Sequence, residues 1–216
     1  MVPALWWCVA ELNTKKMQPL KRTHEETLAQ QGFFAVAGVD EAGRGAFAGP
    51  LVAAAVIMPM DAEIPRVQDS KKIAEKVREV LYEEITTKAR AWAVAILSEQ
   101  VIDNGGVQKA NLLALAQAVK NLTQAPDYVV IDGFALKLPY PSQKIIHGDR
   151  DVFPIACASI IAKVTRDRIM RALEQDYPAY RFATHKGYGT LQHRREIHEH
   201  GLSAIHRKSF RLNKWK

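Results

Sequence analysis

Cysteine is scarce in this chain of 216 residues, which has only Cys8 and Cys157. The two lie far apart in the sequence, and neither has a partner residue at the spacing typical of zinc ligands. A disulfide framework and a structural zinc site are therefore disfavoured. This cysteine usage fits a reducing compartment, and we expect a cytoplasmic protein.

Long apolar runs are also missing. Residues 1–10 are apolar, but they are too few to span a bilayer and lack the basic start of a secretory signal. We expect residues 1–30 to form a mobile N-terminal extension with a short helix over residues 25–31. Residues 31–216 then form a single domain, helical in its C-terminal part from about residue 178.

Acidic residues are outnumbered, with 23 Asp and Glu against 30 Lys and Arg, which gives a net charge of +7 and a sequence pI near 9.4. A basic balance of this kind favours polyanionic partners such as nucleic acid. A merely basic, well-solvated surface would give the same count, so net charge alone does not decide between the two.

Hydrophobic periodicity predicts a mixed β-sheet with helices on its faces, because strands come first and then alternate with helices. The predicted strands cover residues 33–39, 51–58, 91–97, 128–131 and 144–147. The predicted helices cover residues 69–88, with Ser70 as the N-cap, and residues 108–122, 153–176 and 190–200.

Three of the predicted strands end in acidic residues: Asp40 with Glu41, Asp132, and Asp149. Taken singly, an Asp next to Gly after a strand is a common turn. Neighbouring strand ends lie about 5 Å apart, so together these residues could form one carboxylate cluster. Four like charges repel one another unless cations lie between them, and carboxylate oxygens are the ligands that Mg²⁺ and Mn²⁺ prefer. Two such cations are suited to phosphodiester hydrolysis.

Basic groups near the acidic residues suggest phosphate contacts. The Gly43-Arg44-Gly45 turn follows the first acidic pair directly, and a helix start with Lys71 and Lys72 after Ser70 would attract anions. Lys163 and Arg166 either contact phosphate or form a surface group with Asp167. Four histidines in the C-terminal part are predicted to lie on an exposed surface: His193, His198, His200 and His206.

Several blocks together resemble bacterial ribonuclease H of the second type, ribonuclease HII. The matching blocks are residues 36–45 (VAGVDEAGRG), 69–72 (DSKK), 131–133 (IDG), 148–149 (GD), 158–167 (ASIIAKVTRD), 185–188 (HKGY) and 206–210 (HRKSF). Their order and spacing make the resemblance specific, although no single block would suffice.

The resemblance implies a ribonuclease H-like α/β fold and a metal-dependent endonuclease. Its expected substrates are RNA-DNA hybrids and single ribonucleotides in duplex DNA, cut on the 5′ side of the ribonucleotide to leave a 3′-hydroxyl and a 5′-phosphate. The implied catalytic and metal-binding residues are Asp40, Glu41, Asp132 and Asp149, with Mg²⁺ or Mn²⁺. The implied substrate-binding residues are Gly43, Arg44, Gly45, Ser70, Lys71, Lys72, Lys186 and Tyr188.

In the family, the glycine-arginine-glycine turn contacts the ribose 2′-hydroxyl, and the tyrosine matched by Tyr188 stacks on the neighbouring sugar. We expect a monomer. Two other functions stay open from the residues alone: a non-catalytic nucleic-acid-binding module, and a metal phosphohydrolase acting on a small substrate. Intact carboxylates argue against the first, because binding alone would favour fewer negative charges near phosphate.

Overall fold

The computed structural model describes residues 20–67, 73–210 and 212. Along the chain, the elements are α1 (Thr23–Gln30), β1 (Val36–Ala42), β2 (Leu51–Ile57), α2 (Glu75–Lys88), β3 (Ala91–Leu97), α3 (Glu99–Gly105), α4 (Val107–Lys120), β4 (Tyr128–Asp132), β5 (Ser142–Ile145), α5 (Gly148–Asp151), α6 (Phe153–Asp176), α7 (Phe182–His185), α8 (Leu191–His200) and a short 3-10 helix (Lys208–Phe210).

The strands form one five-stranded sheet in the order β3-β2-β1-β4-β5. Strand β2 runs antiparallel to both β1 and β3, whereas β4 pairs parallel with β1 and β5 pairs parallel with β4. This confirms the mixed sheet flanked by helices that the sequence predicts. The three strands expected to end in acidic residues are therefore adjacent and point the same way.

Helices cover both faces of the sheet, which explains why all seven residues of β2 are buried. One face packs against α4, in a core that contains Leu51, Ala53 and Leu115. The other face packs against α2 and α6, in a core that contains Val56 and Ile160. The result is a three-layer arrangement in which the central strands are shielded from water on both sides.

Helix α6 approaches β1 very closely at Gly38. A Cβ atom built on Gly38 would lie 2.1 Å from the carbonyl carbon of Pro154 and 2.3 Å from the nitrogen of Ile155. Pro154 stands in the first turn of α6, where its missing N–H has no helical partner to lose. This contact fixes α6 across the strand that carries Asp40.

Several predicted element boundaries are wrong. Strand β1 begins at Val36, and the Phe34 side chain is 58% exposed. The backbone N–H groups of Phe34 and Ala35 donate instead to the Asp127 carboxylate, so this segment does not join the β-ladder. Strand β5 is shifted to Ser142–Ile145.

Several helices differ from the prediction, and the short helix α5 (Gly148–Asp151) was not predicted. Helix α2 begins at Glu75, after Ala74 in an extended conformation. The predicted N-cap, Ser70, lies outside the described residues. Helix α3 (Glu99–Gly105) was not predicted, because its sequence ends in polar and glycine residues that also suit a loop. The helices predicted over residues 153–176 and 190–200 are confirmed.

The segment before the sheet is docked wherever it is described. Leu28 of α1 packs in a small core with Val36 and Val130. The Arg22 guanidinium lies 3.8 Å from the ring centre of Phe153. Residues 1–19 of the predicted extension lie outside the described part of the chain. In the described ranges, none of the helices is both long enough and apolar enough to cross a bilayer.

Candidate active site

The acidic residues predicted to act together lie at one edge of the sheet. Asp40 and Glu41 are near the end of β1, Asp132 is the last residue of β4, and Asp149 is in α5 directly after β5. Because β1, β4 and β5 are parallel neighbours, these positions share the same edge. The fold thus brings together segments more than 100 residues apart in sequence.

A cleft of about 400 Å³ opens beside these strand ends. It contains three of the four predicted carboxylates, the whole glycine-arginine-glycine turn and the predicted stacking tyrosine. Its lining consists of Asp40, Glu41, Ala42, Gly43, Arg44, Gly45, Asp132, Ser159, Lys163 and Tyr188.

Asp40 is 6% exposed, and its environment disfavours the charged form. Burial is the main cause, and the negative charges of Glu41 and Asp132 add to it, so the pKa of Asp40 is raised well above its usual range. Hydrogen bonds from the Ser159 side chain and, at 2.7 Å, from the Glu41 backbone N–H act in the opposite direction. A nearby positive charge would relieve this repulsion.

Asp132 and Asp149 are linked through the backbone between them. The Gly148 N–H donates to Asp132 Oδ1 at 2.7 Å. A side chain at Gly148 would strike Ile155, because a Cβ there would lie 2.5 Å from Ile155 Cδ1. Asp149 is 3% exposed and does not line the cleft itself.

The carboxylates suit a divalent cation in their chemistry, although they are not gathered tightly around one. In the part of the chain that the structure describes, no three His, Cys, Asp or Glu side chains are already placed to hold a metal ion. The oxygen donors of Asp40, Glu41 and Asp132 are nevertheless of the type that Mg²⁺ and Mn²⁺ prefer. Their mutual repulsion at Asp40 is the kind that a bound cation offsets.

The turn after β1 has two glycines with different surroundings. Gly43 has φ +91°, and a Cβ there would lie 2.0 Å from Arg166 Nε. A Cβ built on Gly45 would have no described atom within 4 Å, so this glycine borders open space. Between them, the exposed Arg44 side chain donates to Gln108 Oε1 at 3.1 Å.

Arg166 packs against this turn. The sequence suggests that it contacts phosphate or forms a surface group with Asp167, and both predictions are wrong. The side chain is fully buried and donates to three backbone carbonyls, those of Pro50, Ala48 and Lys186, at 2.8–3.1 Å. Burial lowers its pKa. Arg166 therefore joins two loops of the site and is neither a surface residue nor a phosphate ligand.

Arg207, in the C-terminal segment, also binds backbone carbonyls of the loops around the site. The sequence analysis did not identify this residue. Its Nε and Nη2 donate to Gly49 O at 3.0 and 2.8 Å, and its Nη1 donates to Arg44 O at 3.0 Å. The available signal was its place in the block HRKSF, but an arginine's burial cannot be read from one sequence.

Tyr188 and Lys163 also line the cleft. Tyr188 is half-buried, and its ring centre lies 5.1 Å from the Arg166 guanidinium carbon. Lys163 lines the cleft and, as predicted, pairs with Asp167, with 2.5 Å between Nζ and Oδ1. Lys163 therefore places a positive charge next to the predicted stacking residue.

The structure does not place Lys186 in the cleft. The residue is 7% exposed, and its Nζ donates to Ala183 O and lies 3.4 Å from Glu75 Oε1. The side chain is directed toward Glu75 of α2, and the backbone of Lys186 adopts a left-handed conformation with φ 53°. Ser70, Lys71 and Lys72 lie outside the described residues.

The prediction of an exposed histidine surface is wrong for two of the four residues. His193 is fully buried and His206 is 1% exposed, whereas His198 and His200 are exposed. Helix α8 turns the His193 imidazole inward, whereas Arg195 and His198 are exposed on its outer face.

Comparisons with known proteins agree with this geometry. Residues 37–213 match the family model described as Ribonuclease HII. The chain is 46% identical over 207 residues to Ribonuclease HII of Bacillus thuringiensis (strain Al Hakam). This aligned region covers 95% of this chain and 80% of that protein.

Solved structures have the same fold. The ribonuclease H2 from Pyrococcus horikoshii OT3 superposes with a TM-score of 0.69 at 25% identity, covering 83% of this chain and 97% of that one. Bst-RNase HIII, solved in complex with Mn²⁺, superposes with a TM-score of 0.58 at 19% identity, covering 87% and 70%.

Proposed function

The chain belongs to the ribonuclease HII family, and we propose that its reaction takes place in the cleft beside Asp40, Glu41 and Asp132. As a member of this family, it is an endoribonuclease that cleaves the RNA strand of RNA-DNA hybrids. The finer proposal is that it also cuts 5′ of a single ribonucleotide in duplex DNA, leaving a 3′-hydroxyl and a 5′-phosphate. The observation that carries the assignment is the convergence of acidic strand ends, the glycine-arginine-glycine turn and Tyr188 on one cleft.

The proposed cofactor is a divalent cation, Mg²⁺ or Mn²⁺, held by Asp40, Glu41, Asp132 and Asp149. Bound cations would supply a Lewis acid and an activated water for phosphodiester hydrolysis. The protein supplies the carboxylates on a rigid sheet edge. The raised pKa of Asp40, caused first by burial and then by its acidic neighbours, supports a site built to receive positive charge.

The proposed substrate contacts lie around this edge. The Gly43-Arg44-Gly45 backbone reads the 2′-hydroxyl, which distinguishes RNA from DNA. The open space at Gly45 supports a close approach of substrate to this backbone. Tyr188 stacks on the neighbouring sugar. Lys163 places a positive charge near the phosphate that joins this sugar to the ribonucleotide.

The remaining proposed substrate contacts were expected from the sequence. Lys71 and Lys72 are proposed to contact backbone phosphate through their charges, and Ser70 through its hydroxyl. The helix expected to begin at these residues begins at Glu75, so no helix N-terminus in the described part of the chain supports these contacts. For Lys186 we propose no direct phosphate contact, because its amine is engaged elsewhere. We further propose a cytoplasmic monomer whose catalytic domain comprises residues 31–216.

A panel of labelled substrates tests this function. We expect Mg²⁺-dependent cleavage of an RNA-DNA hybrid and of a DNA duplex with one ribonucleotide, and none of an all-DNA duplex. The products should carry 3′-hydroxyl and 5′-phosphate ends. Binding without cleavage would support a nucleic-acid-binding module, and hydrolysis of only a small phosphodiester such as bis(p-nitrophenyl) phosphate would support the small-substrate alternative.

A further inference from the structure

Three buried imidazoles lie directly behind the loop that carries Tyr188. We call His185, His193 and His206 the histidine cluster. The His185 and His193 rings stack with centres 4.2 Å apart, and the His193 and His206 ring centres lie 5.2 Å apart. Their exposed fractions are 6%, 0% and 1%, so none of them faces the substrate.

Hydrogen bonds fix the tautomer of two of these rings. The Ser203 backbone N–H donates to His206 Nδ1 at 2.9 Å, so this nitrogen carries no hydrogen and Nε2 carries it. His206 Nε2–H then donates to His193 Nε2 at 3.0 Å. As a result, the hydrogen of His193 is on Nδ1, which donates to the carbonyl oxygen of Tyr188 at 3.0 Å.

His185 holds the preceding part of the same loop. The Gly187 N–H donates to His185 Nδ1 at 3.1 Å, and His185 Nε2–H donates to Glu196 Oε2 at 2.8 Å. The cluster thus binds the N–H of Gly187 and the carbonyl of Tyr188, which are consecutive residues.

This part of the backbone needs such support. Lys186 and Gly187 have φ values of 53° and 77°, two left-handed residues in succession. A non-glycine residue in this region is unfavourable and persists when its surroundings over-determine it. The Arg166 bond to Lys186 O is a further restraint on the same turn.

We propose that the histidine cluster is a positioning device that sets the orientation of Tyr188 in the cleft. His206 orients His193, His193 holds the Tyr188 carbonyl, and His185 holds the Gly187 N–H. This inference rests on the proposed role of Tyr188 in substrate recognition. It assigns a task to residues whose side chains do not contact substrate or cations.

Two observations support a neutral hydrogen-bonded relay over a metal site. Every ring nitrogen of the cluster already takes part in a hydrogen bond. Burial lowers the pKa of His193 and of His206 to about 4, so both rings are neutral at physiological pH.

The first test needs no activity measurement. Nitrogen-15 NMR of the whole protein at pH 7 reports which nitrogen of each neutral imidazole carries hydrogen. We expect Nδ1–H for His193 and Nε2–H for His185 and His206. An Nε2–H tautomer at His193 would overturn the relay, because Nδ1 could then not donate to the Tyr188 carbonyl.

The second test compares His193→Asn with His193→Leu. The asparagine amide can donate from about the place of Nδ1, whereas leucine cannot donate. The free energy of one hydrogen bond corresponds to a change in rate of roughly three- to tenfold. We therefore expect His193→Leu to slow cleavage by about that factor, mainly at a single ribonucleotide in DNA, and His193→Asn to restore most of it. Equal losses in both variants, with unchanged thermal unfolding, would contradict the proposal.

A double-mutant cycle with Tyr188→Ala separates this inference from the proposed function. If the cluster acts through Tyr188, His193→Leu should have little further effect in the Tyr188→Ala protein. Additive losses would overturn the positioning role. If Tyr188→Ala slows both substrates equally, junction recognition fails as a function of Tyr188, while the cycle still decides whether the cluster acts through it. Should His193→Leu not fold, the NMR tautomers and His206→Gln against His206→Leu decide in the same way.

Discussion

Asp40 is held where its charge is unfavourable. Burial and the charges of Glu41 and Asp132 raise its pKa, and the backbone around it is fixed by β1 and α6. Placing a carboxylate in such surroundings destabilises the metal-free fold, and catalytic sites commonly carry strain of this kind. The same repulsion provides the affinity for a cation.

Asp40→Asn should therefore have opposite effects on stability and activity. The neutral amide removes the repulsion, so we expect a higher melting temperature than that of the wild type without metal, and a smaller rise on adding Mg²⁺. The cleavage rate should fall by about a hundredfold or more, since misplaced cations no longer stabilise the charge that develops in the transition state. Differential scanning calorimetry with and without Mg²⁺ checks the first part, with the exposed Asp61→Asn as the control. A lower metal-free melting temperature for Asp40→Asn would contradict this account of Asp40.

The two glycines of the turn should respond differently to alanine. At Gly45 the added methyl enters open space, so stability should be kept while cleavage of every ribonucleotide substrate falls. At Gly43 the methyl meets Arg166 and the positive φ is unfavourable, so we expect a loss of about 1–3 kcal/mol in the free energy of unfolding. Urea unfolding and initial rates on both variants separate these effects. If Gly45→Ala cleaves at the wild-type rate, Gly45 does not contact the substrate.

At the scale of elements, the contact between α6 and β1 determines where the acidic edge lies. Gly38→Ala would force a methyl group to within 2.3 Å of backbone atoms of Pro154 and Ile155. Because backbone cannot move aside as a flexible side chain does, we expect a loss of about 2 kcal/mol or more. Gly105→Ala, at the end of α3, is the matched control and should be neutral or stabilising, since its closest neighbour is 4.0 Å away. Equal urea midpoints for the two variants would refute this close packing.

The segment that carries the histidine cluster should make stability depend on pH. The pKa of His193 and of His206 is about 4 in the fold and 6.5 without it, in both cases mainly because of burial. Between pH 6.5 and 4 the unfolded chain binds more protons, so the free energy of unfolding falls as pH is lowered through this window. We expect a loss of roughly 3 kcal/mol, about the contribution of one ring, since two rings in one hydrogen-bonded chain do not titrate independently.

Urea unfolding at several pH values measures this slope. His193→Asn should flatten it, and His198→Asn, an exposed position on the same helix, should leave it unchanged. An identical slope in wild type and His193→Asn would mean that other groups cause the dependence.

From the sequence, long helices and strands were predicted better than short elements, element boundaries and the exposure of individual side chains. β3 and α6 were placed correctly because a continuous apolar run and a long apolar stripe are local signals. The start of β1 was misplaced, since Asp127, more than 90 residues away, binds that backbone. No local pattern carries such a contact.

The site shows the same division. Asp40 and Asp132 were recognised from acidic ends of strands and meet in one cleft. Arg207 and the inward side of His193 depend on tertiary packing, so a single sequence carries no distinct signal for them. The alternating charges around His193 favoured an exposed surface, and the packing of α8 overrode that pattern.

Across the whole molecule, the site is assembled from five separate parts of the chain. The turn after β1, the ends of β4 and β5, the middle of α6 and the loop before α8 all meet at one edge of the sheet. Arg166 and Arg207 connect these parts through backbone carbonyls. The chain as a whole has a net charge of +7, which favours the approach of a nucleic-acid duplex.

The most direct measurement of the central claim is cleavage of a DNA duplex carrying one ribonucleotide, at increasing Mg²⁺, by the wild type, Asp132→Asn and Asp61→Asn. We predict that the wild type and Asp61→Asn cut 5′ of the ribonucleotide only when Mg²⁺ is present. Asp132→Asn should bind the duplex but not cut it at any Mg²⁺ concentration. Cleavage by the wild type in excess chelator, or a wild-type rate for Asp132→Asn, would contradict a carboxylate-held cation as the source of activity.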